Sequence, residues 1–149
     1  MLTIHCAEEL RRTWDDPRPV RDGAVAVEGA RIAAVGTLAE LEQRFPGARV
    51  RRWPGVLGPG RVHEGPLPDA PTPRERVHAV LKLGATAVLA EHAGAPGLRS
   101  AAGRNDVEVV PGPRPAAVVE GGRADLAAFD EAGACVATVC AGRLVHRRR

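Results

Sequence analysis

Two pairs of neighbouring side chains in this sequence could do chemistry: His63-Glu64 and Glu91-His92. Imidazole nitrogens beside carboxylate oxygens are a donor set that zinc accepts, and four such groups would fill a tetrahedral site. The spacing argues against it. Adjacent residues on a strand point to opposite faces, so each pair offers at most one ligand to a common centre. The preferred reading of His63, Glu64, Glu91 and His92 is therefore exposed polar residues in loops. Zinc is the one cofactor they could hold, and no other cofactor is expected.

Nucleophilic catalysis finds less support. Ser100 is the only serine and lies outside any G-x-S-x-G context. Cys6, Cys135 and Cys140 have neither C-x-x-C spacing nor a helix N-terminus to lower a thiol pKa. They read as small buried hydrophobes. Cys135 and Cys140 are five apart, on opposite faces if one strand holds both. His5 reads as a hydrogen-bonded strand histidine, His78 as a surface or boundary helix residue, and His146 as part of the tail. Gly55–Gly60 lacks the spacing of a phosphate loop.

The charge balance excludes one class of partner. The chain has 149 residues, with 21 Lys+Arg against 18 Asp+Glu. Arg147, Arg148 and Arg149 account for the whole formal charge of +3, leaving a neutral body. Trp14, Phe45, Trp53 and Phe129 are the only aromatic residues, too few for a stacking platform on a basic face. Nucleic acid is not an expected partner. The arginine tail reads as a solvated, frayed terminus. No apolar window reaches the ~18–20 residues of a membrane span, so no membrane is expected. MLTIHCAEEL carries no signal-peptide pattern, and the expected location is the cytoplasm.

Several elements must position these residues. Leu2–Cys6 predicts a first strand, and the proline-broken stretch Arg11–Arg21 a loop. Ala24–Val27 and Arg31–Val35 flank Glu28-Gly29-Ala30 and predict a hairpin. Thr37 and Glu40 have capping-box spacing, with Leu38, Leu41 and Phe45 on one helical face until Pro46-Gly47. Val50–Trp53 predicts a strand, followed by the Pro- and Gly-rich Pro54–Gly60.

Gly65–Pro73 holds four prolines and reads as a linker. Thr72 and Glu75 form a second capping-box pattern, with Pro73 at N1 of a helix that buries Val77, Val80 and Leu81 and stops near Gly84. Thr86–Leu89 and Val107–Val110 predict strands around a helical turn at Gly97–Ala102, a β-α-β-like rhythm. Ala116–Val119, Asp125–Phe129, Cys135–Cys140 and Arg143–Val145 predict further short strands.

Two stretches carry a family resemblance. Asp22–Gly65, with its strand, glycine turn, Arg31-Ile32, Val35-Gly36, short helix and Pro59-Gly60, resembles the N-terminal flank of the amidohydrolase superfamily, imidazolonepropionase-like members in particular. Glu120–Val145 resembles the C-terminal flank, through Gly122, Ala124, Asp125 and Leu126 and then Gly142, Arg143 and Val145. Leu81–Ala101 looks like the first helix, strand and helix of that family's barrel. The resemblance implies one composite β domain built from both flanks, with a metal-bearing (β/α)8 barrel between them.

The implied chemistry fails on length and on ligands. From His63 to Arg114 there are 52 residues, where a (β/α)8 barrel takes at least ~200. This reads as an internal deletion. The family's paired histidine ligands fall, counted from Pro59-Gly60, on Gly65 and Leu67, and neither can bind a metal. His63 comes two positions early. Asp125 reads as a turn or strand-start hydrogen-bonding residue.

The expected fold is mainly β with some α (α+β). A β-sandwich-like composite domain takes 1–62 and 115–149, and a small α/β insertion takes 63–114. The expected function is an amidohydrolase-like protein, catalytically inactive, acting as a binding or assembly module. A homo-oligomer or a protein partner is expected to cover apolar surface uncovered by the missing barrel. The alternative is a repurposed metal-dependent hydrolase of non-peptide C–N bonds, with a site completed by a second subunit. A third reading places a small ligand in the cleft between sandwich and insertion.

Overall fold

The computed structural model describes residues 2–148. Two sheets organise it. The large one contains β1 (Leu2–Leu10), β2 (Val20–Arg21), β3 (Gly23–Glu28), β4 (Arg31–Thr37), β5 (Arg49–Pro59), β9 (Leu126–Phe129), β10 (Cys135–Cys140) and β11 (Arg143–Arg147). Its order is β11-β10-β9-β5-β1-β3-β4, with β2 pairing β1. Both ends of the sequence thus build one sheet, joined where β5 pairs antiparallel with β9. The small sheet is parallel: β6 (Arg61–His63), β7 (Ala85–Leu89) and β8 (Glu108–Val110) in the order β6-β7-β8. Helices α2 (Pro73–Lys82) and α3 (Leu98–Arg104) make its crossovers, and α1 (Leu38–Arg44) follows β4. The fold is α+β and mainly β, with 42% of residues in strands and 18% in helices.

The hairpin forms as its pattern predicts, with Gly29 at positive φ in the turn. Its residues alternate between two cores. Val25, Val27 and Ile32 join the main cluster with Leu57, Leu126 and Val139. Ala24, Ala26 and Ala34 face α1, where Leu41 meets Ile4. The Thr37 capping box is complete: its hydroxyl accepts from Glu40 N–H at 3.2 Å, and Glu40 accepts from Thr37 N–H at 3.1 Å. Thr72 caps α2 by accepting from Glu75 N–H, with Pro73 at the start.

Strand lengths depart from expectation where the ladder is irregular. β1 continues past Cys6, where β3 leaves it, to Leu10, because β5 pairs it along its length and β2 pairs Glu9 and Leu10 on the other side. β5 runs through Pro54–Pro59, a stretch whose composition suggests a loop. β5 bulges at Pro54-Gly55, two residues set against the single Glu8 of β1, with Gly55 at positive φ against the Phe129 carbonyl. The Arg11–Arg21 loop ends in the short β2. Ala116–Val119 forms no strand. It runs over the sheet as a strap, held by Val118 N–H to Arg12 O at 2.8 Å and by the buried Val118 side chain.

The tail is also more ordered than expected. β11 extends to Arg147, whose guanidinium lies 5.6 Å from the Trp53 ring centroid. Arg148 pairs with Asp130 at 2.8 Å, and its N–H donates to Val136 O. Arg149 lies outside the described residues.

The apolar face of the small sheet is not open. Ala87, Leu89 and Val110 are 2–3% exposed and pack with Val62. Exposed large hydrophobics among the described residues are Leu83 and Val119. This face of the small sheet is therefore buried within the chain. No helix among the described residues is long and apolar enough to cross a membrane.

Candidate functional site

The four metal candidates occupy two neighbouring strand ends and do not converge. His63 ends β6, and its Nε2 donates to Pro66 O at 2.9 Å. Glu64 follows it, exposed. Glu91 and His92 lie in a 3₁₀ turn after β7, with His92 Nε2 3.9 Å from Glu91 Oε1. β6 and β7 pair in parallel with His63 opposite Val88, so both pairs emerge at the C-terminal end of the small sheet's strands. Among the described residues no three His, Cys, Asp or Glu side chains are grouped to hold a metal.

The two ligand slots implied by the resemblance have other roles. Leu67 is 4% exposed and packs with Val77, Leu81 and Leu98 in the core of the insertion. Gly65 has no side chain and open space around it. An imidazole at Leu67 would replace an apolar core residue with a polar group lacking a partner. The residues present do not fit the family's metal.

Asp125 heads β9 and works as a latch. Its Oδ1 accepts from Ala141 N–H at 2.9 Å and from Arg123 Nε at 3.0 Å, and its carbonyl accepts from Gly60 N–H. Burial pushes its carboxyl pKa up against the pull of these bonds. Arg123 also reaches Glu108 at 3.6 Å, the Cys140 sulfur and the Asp106 carbonyl. Glu108 pairs with Arg114, and Asp106 with Arg143. The charges neutralise one another across a pocket of about 250 Å³. Burial, then the Asp125 charge, pushes the Cys140 thiol up to about 11, which leaves it protonated and unreactive.

Cys135 and Cys140 correct the expectation of opposite faces. The β9–β10 register slips between Cys135 and Ala137. The extra residue restores the parity, so Cys135 approaches Gly84 of the insertion and Cys140 packs among the insertion's own residues. Both thiols are free.

A roomier cleft than this pocket lies between the two sheets, about 630 Å³ in volume. The small sheet and the helix α2 region contribute Arg61, His63, Glu64, Lys82 and Leu83. The large sheet contributes Phe129, Cys135 and His146. Gly84 lets the two parts close at this point, since a Cβ there would stand 2.7 Å from Phe129 Cζ. Arg61 is fixed by aromatic rings: its guanidinium carbon lies 4.2 Å from the Phe129 centroid and 4.7 Å from that of Trp14. Trp14 is itself anchored by Nε1–H to Pro59 O at 2.9 Å. His146 Nε2 donates to Cys135 O at 3.3 Å. Sequence reading missed this grouping. Its members are spread from residue 14 to residue 146, and no local motif joins them.

The two flanks are tied to each other through backbone. Gly121 and Gly122 exchange hydrogen bonds with Ile32 on the outer edge of β4, and Ala124 N–H donates to Ala30 O. The hairpin that resembles one flank is thus closed by the segment that resembles the other. Residues 23–48 match the family model of the imidazolonepropionase-like composite domain of bacteria.

Over that stretch the chain is similar to an amidohydrolase-type composite domain. Solved structures share its fold. An adenosine deaminase from Xanthomonas campestris, solved with bound zinc, superposes with a TM-score of 0.56 at 19% identity, covering 72% of this chain and 33% of its own. E. coli guanine deaminase gives 0.53 at 19%, covering 72% and 35%. A. niger ochratoxinase gives 0.52 at 20%, covering 76% and 30%. At such identities the likeness concerns fold alone. The chain spans about a third of the length of these structures. Among curated proteins no sequence matches.

Proposed function

We propose that this amidohydrolase-like chain performs no metal-dependent hydrolysis and acts as a binding module. The observation that carries this reading is Leu67, an apolar core residue at a position where the resemblance calls for a metal ligand. Gly65 at the companion position supports it, as does the lack, among the described residues, of any three grouped His, Cys, Asp or Glu side chains. A metal-activated water needs three or so convergent ligands and an open coordination position.

The composite domain and its insertion are read as one binding unit, with 1–62 and 115–149 around 63–114. Self-association belongs to the proposal through the sheet edges that β6, β8 and β11 leave unpaired, since the apolar face of the small sheet is already buried.

The test is metal reconstitution with zinc, followed by assay on non-peptide C–N substrates such as cyclic amidines and amides. The reading expects no turnover above that of a denatured control. Zinc-dependent turnover, lost in His63→Ala or His92→Ala, would establish the repurposed hydrolase instead.

A further inference from the structure

We infer that the cleft between the two sheets is a binding site for a small organic carboxylate with an apolar body. The inference rests on the binding-module reading and supplies its ligand class.

Two positive charges border the cleft, Arg61 and Lys82. Neither makes an ion pair among the described residues. Most other arginines facing the junction of the two sheets are paired: Arg123 with Asp125, Arg143 with Asp106, Arg148 with Asp130. Arg61 is also held in place. Its guanidinium lies against Phe129 and Trp14, whose rings meet edge to face with centroids 5.3 Å apart. A guanidinium stacked on an aromatic face keeps its N–H groups in a plane, free at the rim, and loses less entropy on binding. That geometry suits the two oxygens of a carboxylate. Lys82, at the end of α2, adds a second charge from the other side.

The rest of the lining selects the body of the ligand. Leu83 is half exposed, one of the few large hydrophobics left open, and it lies on this cleft with Phe129 and Val62. His63 and His146 both spend Nε2–H on backbone carbonyls, which turns their Nδ1 atoms to other partners. Glu64 is the one carboxylate on the rim, and it disfavours a ligand carrying several negative charges. A monoanion with a compact aromatic or branched aliphatic body satisfies all of these groups. The volume of about 630 Å³ sets the upper size.

The test is an amide-resolved NMR titration of the full chain with benzoate, with benzyl alcohol as the uncharged counterpart. Benzoate is expected to give saturable shifts confined to residues 61–64, 82–85, 133–135 and 146, and benzyl alcohol to give shifts at least about tenfold weaker in affinity. Arg61→Gln should weaken benzoate about tenfold or more, the loss of one charge-assisted hydrogen bond. Lys82→Gln, on an exposed helix end, keeps the test valid if the Arg61 variant unfolds, and should weaken benzoate several-fold. Shifts that are absent, scattered over the surface, or unchanged in Lys82→Gln would overturn the inference. Zinc content and turnover measured on the same samples keep the two readings separate. Zinc-dependent hydrolysis would sink the binding-module reading whatever benzoate does. A silent cleft in a metal-free protein would sink only this inference.

Discussion

Gly142, in the turn between β10 and β11, lies directly on the backbone of Gly29 in the turn between β3 and β4. A Cβ on Gly142 would overlap the Gly29 carbonyl oxygen and stand 3.0 Å from Ala30 Cα. The turn regions of the two flanks therefore touch through bare backbone, and the contact is closed by Gly142 N–H to Ala124 O at 2.9 Å. Gly142 also has φ +83°, which side-chain-bearing residues rarely adopt. Gly142→Ala should cost about 2–4 kcal/mol, measured by urea unfolding. Gly94→Ala, where a Cβ meets nothing within 4 Å, is the control and should stay within about 0.5 kcal/mol.

Asp125 makes a second tie between the flanks. Its carboxylate receives the Ala141 N–H and Arg123 Nε, so Asp125→Ala leaves a backbone donor and a partly buried guanidinium unmatched. The expected loss is about 2–3 kcal/mol. Thermal unfolding measures it. A loss below about 0.5 kcal/mol would contradict the latch role.

His5 predicts a pH dependence. It is 3% exposed, and its Nδ1 accepts the Trp53 Nε1–H at 3.2 Å with the rings 9° from coplanar. That bond requires a neutral ring. Burial, and secondarily the Arg51 charge, lowers its pKa from 6.5 to about 4. The unfolded chain therefore binds the proton more readily. The stability held above pH ~6.5 is lost as pH falls from ~6.5 towards 4, by roughly 3 kcal/mol at most. His5→Gln should flatten the urea midpoint across that window, while lowering it at pH 7.

The cleft junction predicts a packing effect at Gly84. Gly84→Ala would drive a methyl into Phe129 and Ala127, displacing the ring that supports Arg61. The expected cost is about 1–3 kcal/mol, with a change in near-UV circular dichroism from Trp14, which packs on the same ring.

What could be read from the sequence was local. The hairpin around Gly29, the Thr37 box and the α2 face of Val77, Val80 and Leu81 each follow from side chains a few residues apart. The two flanks were legible because their turns need particular residues, Gly29 and Gly142 among them. What escaped depends on distant partners. β5 survives Pro54 because it bulges there while its pairing with β1 resumes at Val56, and Ala116–Val119 stays unpaired because no strand lies beside it to complete a ladder. The parity of Cys135 and Cys140 hangs on one slipped residue. Arg61, Lys82 and His146 meet only once both sheets are folded, so no spacing in the chain announces the cleft.

We propose that the composite fold persists here without the ligands for hydrolytic metal chemistry. Elemental analysis of the purified chain, after incubation with excess zinc and removal of loose metal, tests it most directly. The account predicts well under one zinc per chain, unchanged in His63→Ala and His92→Ala. One tightly held zinc per chain, lost in either variant, would contradict it.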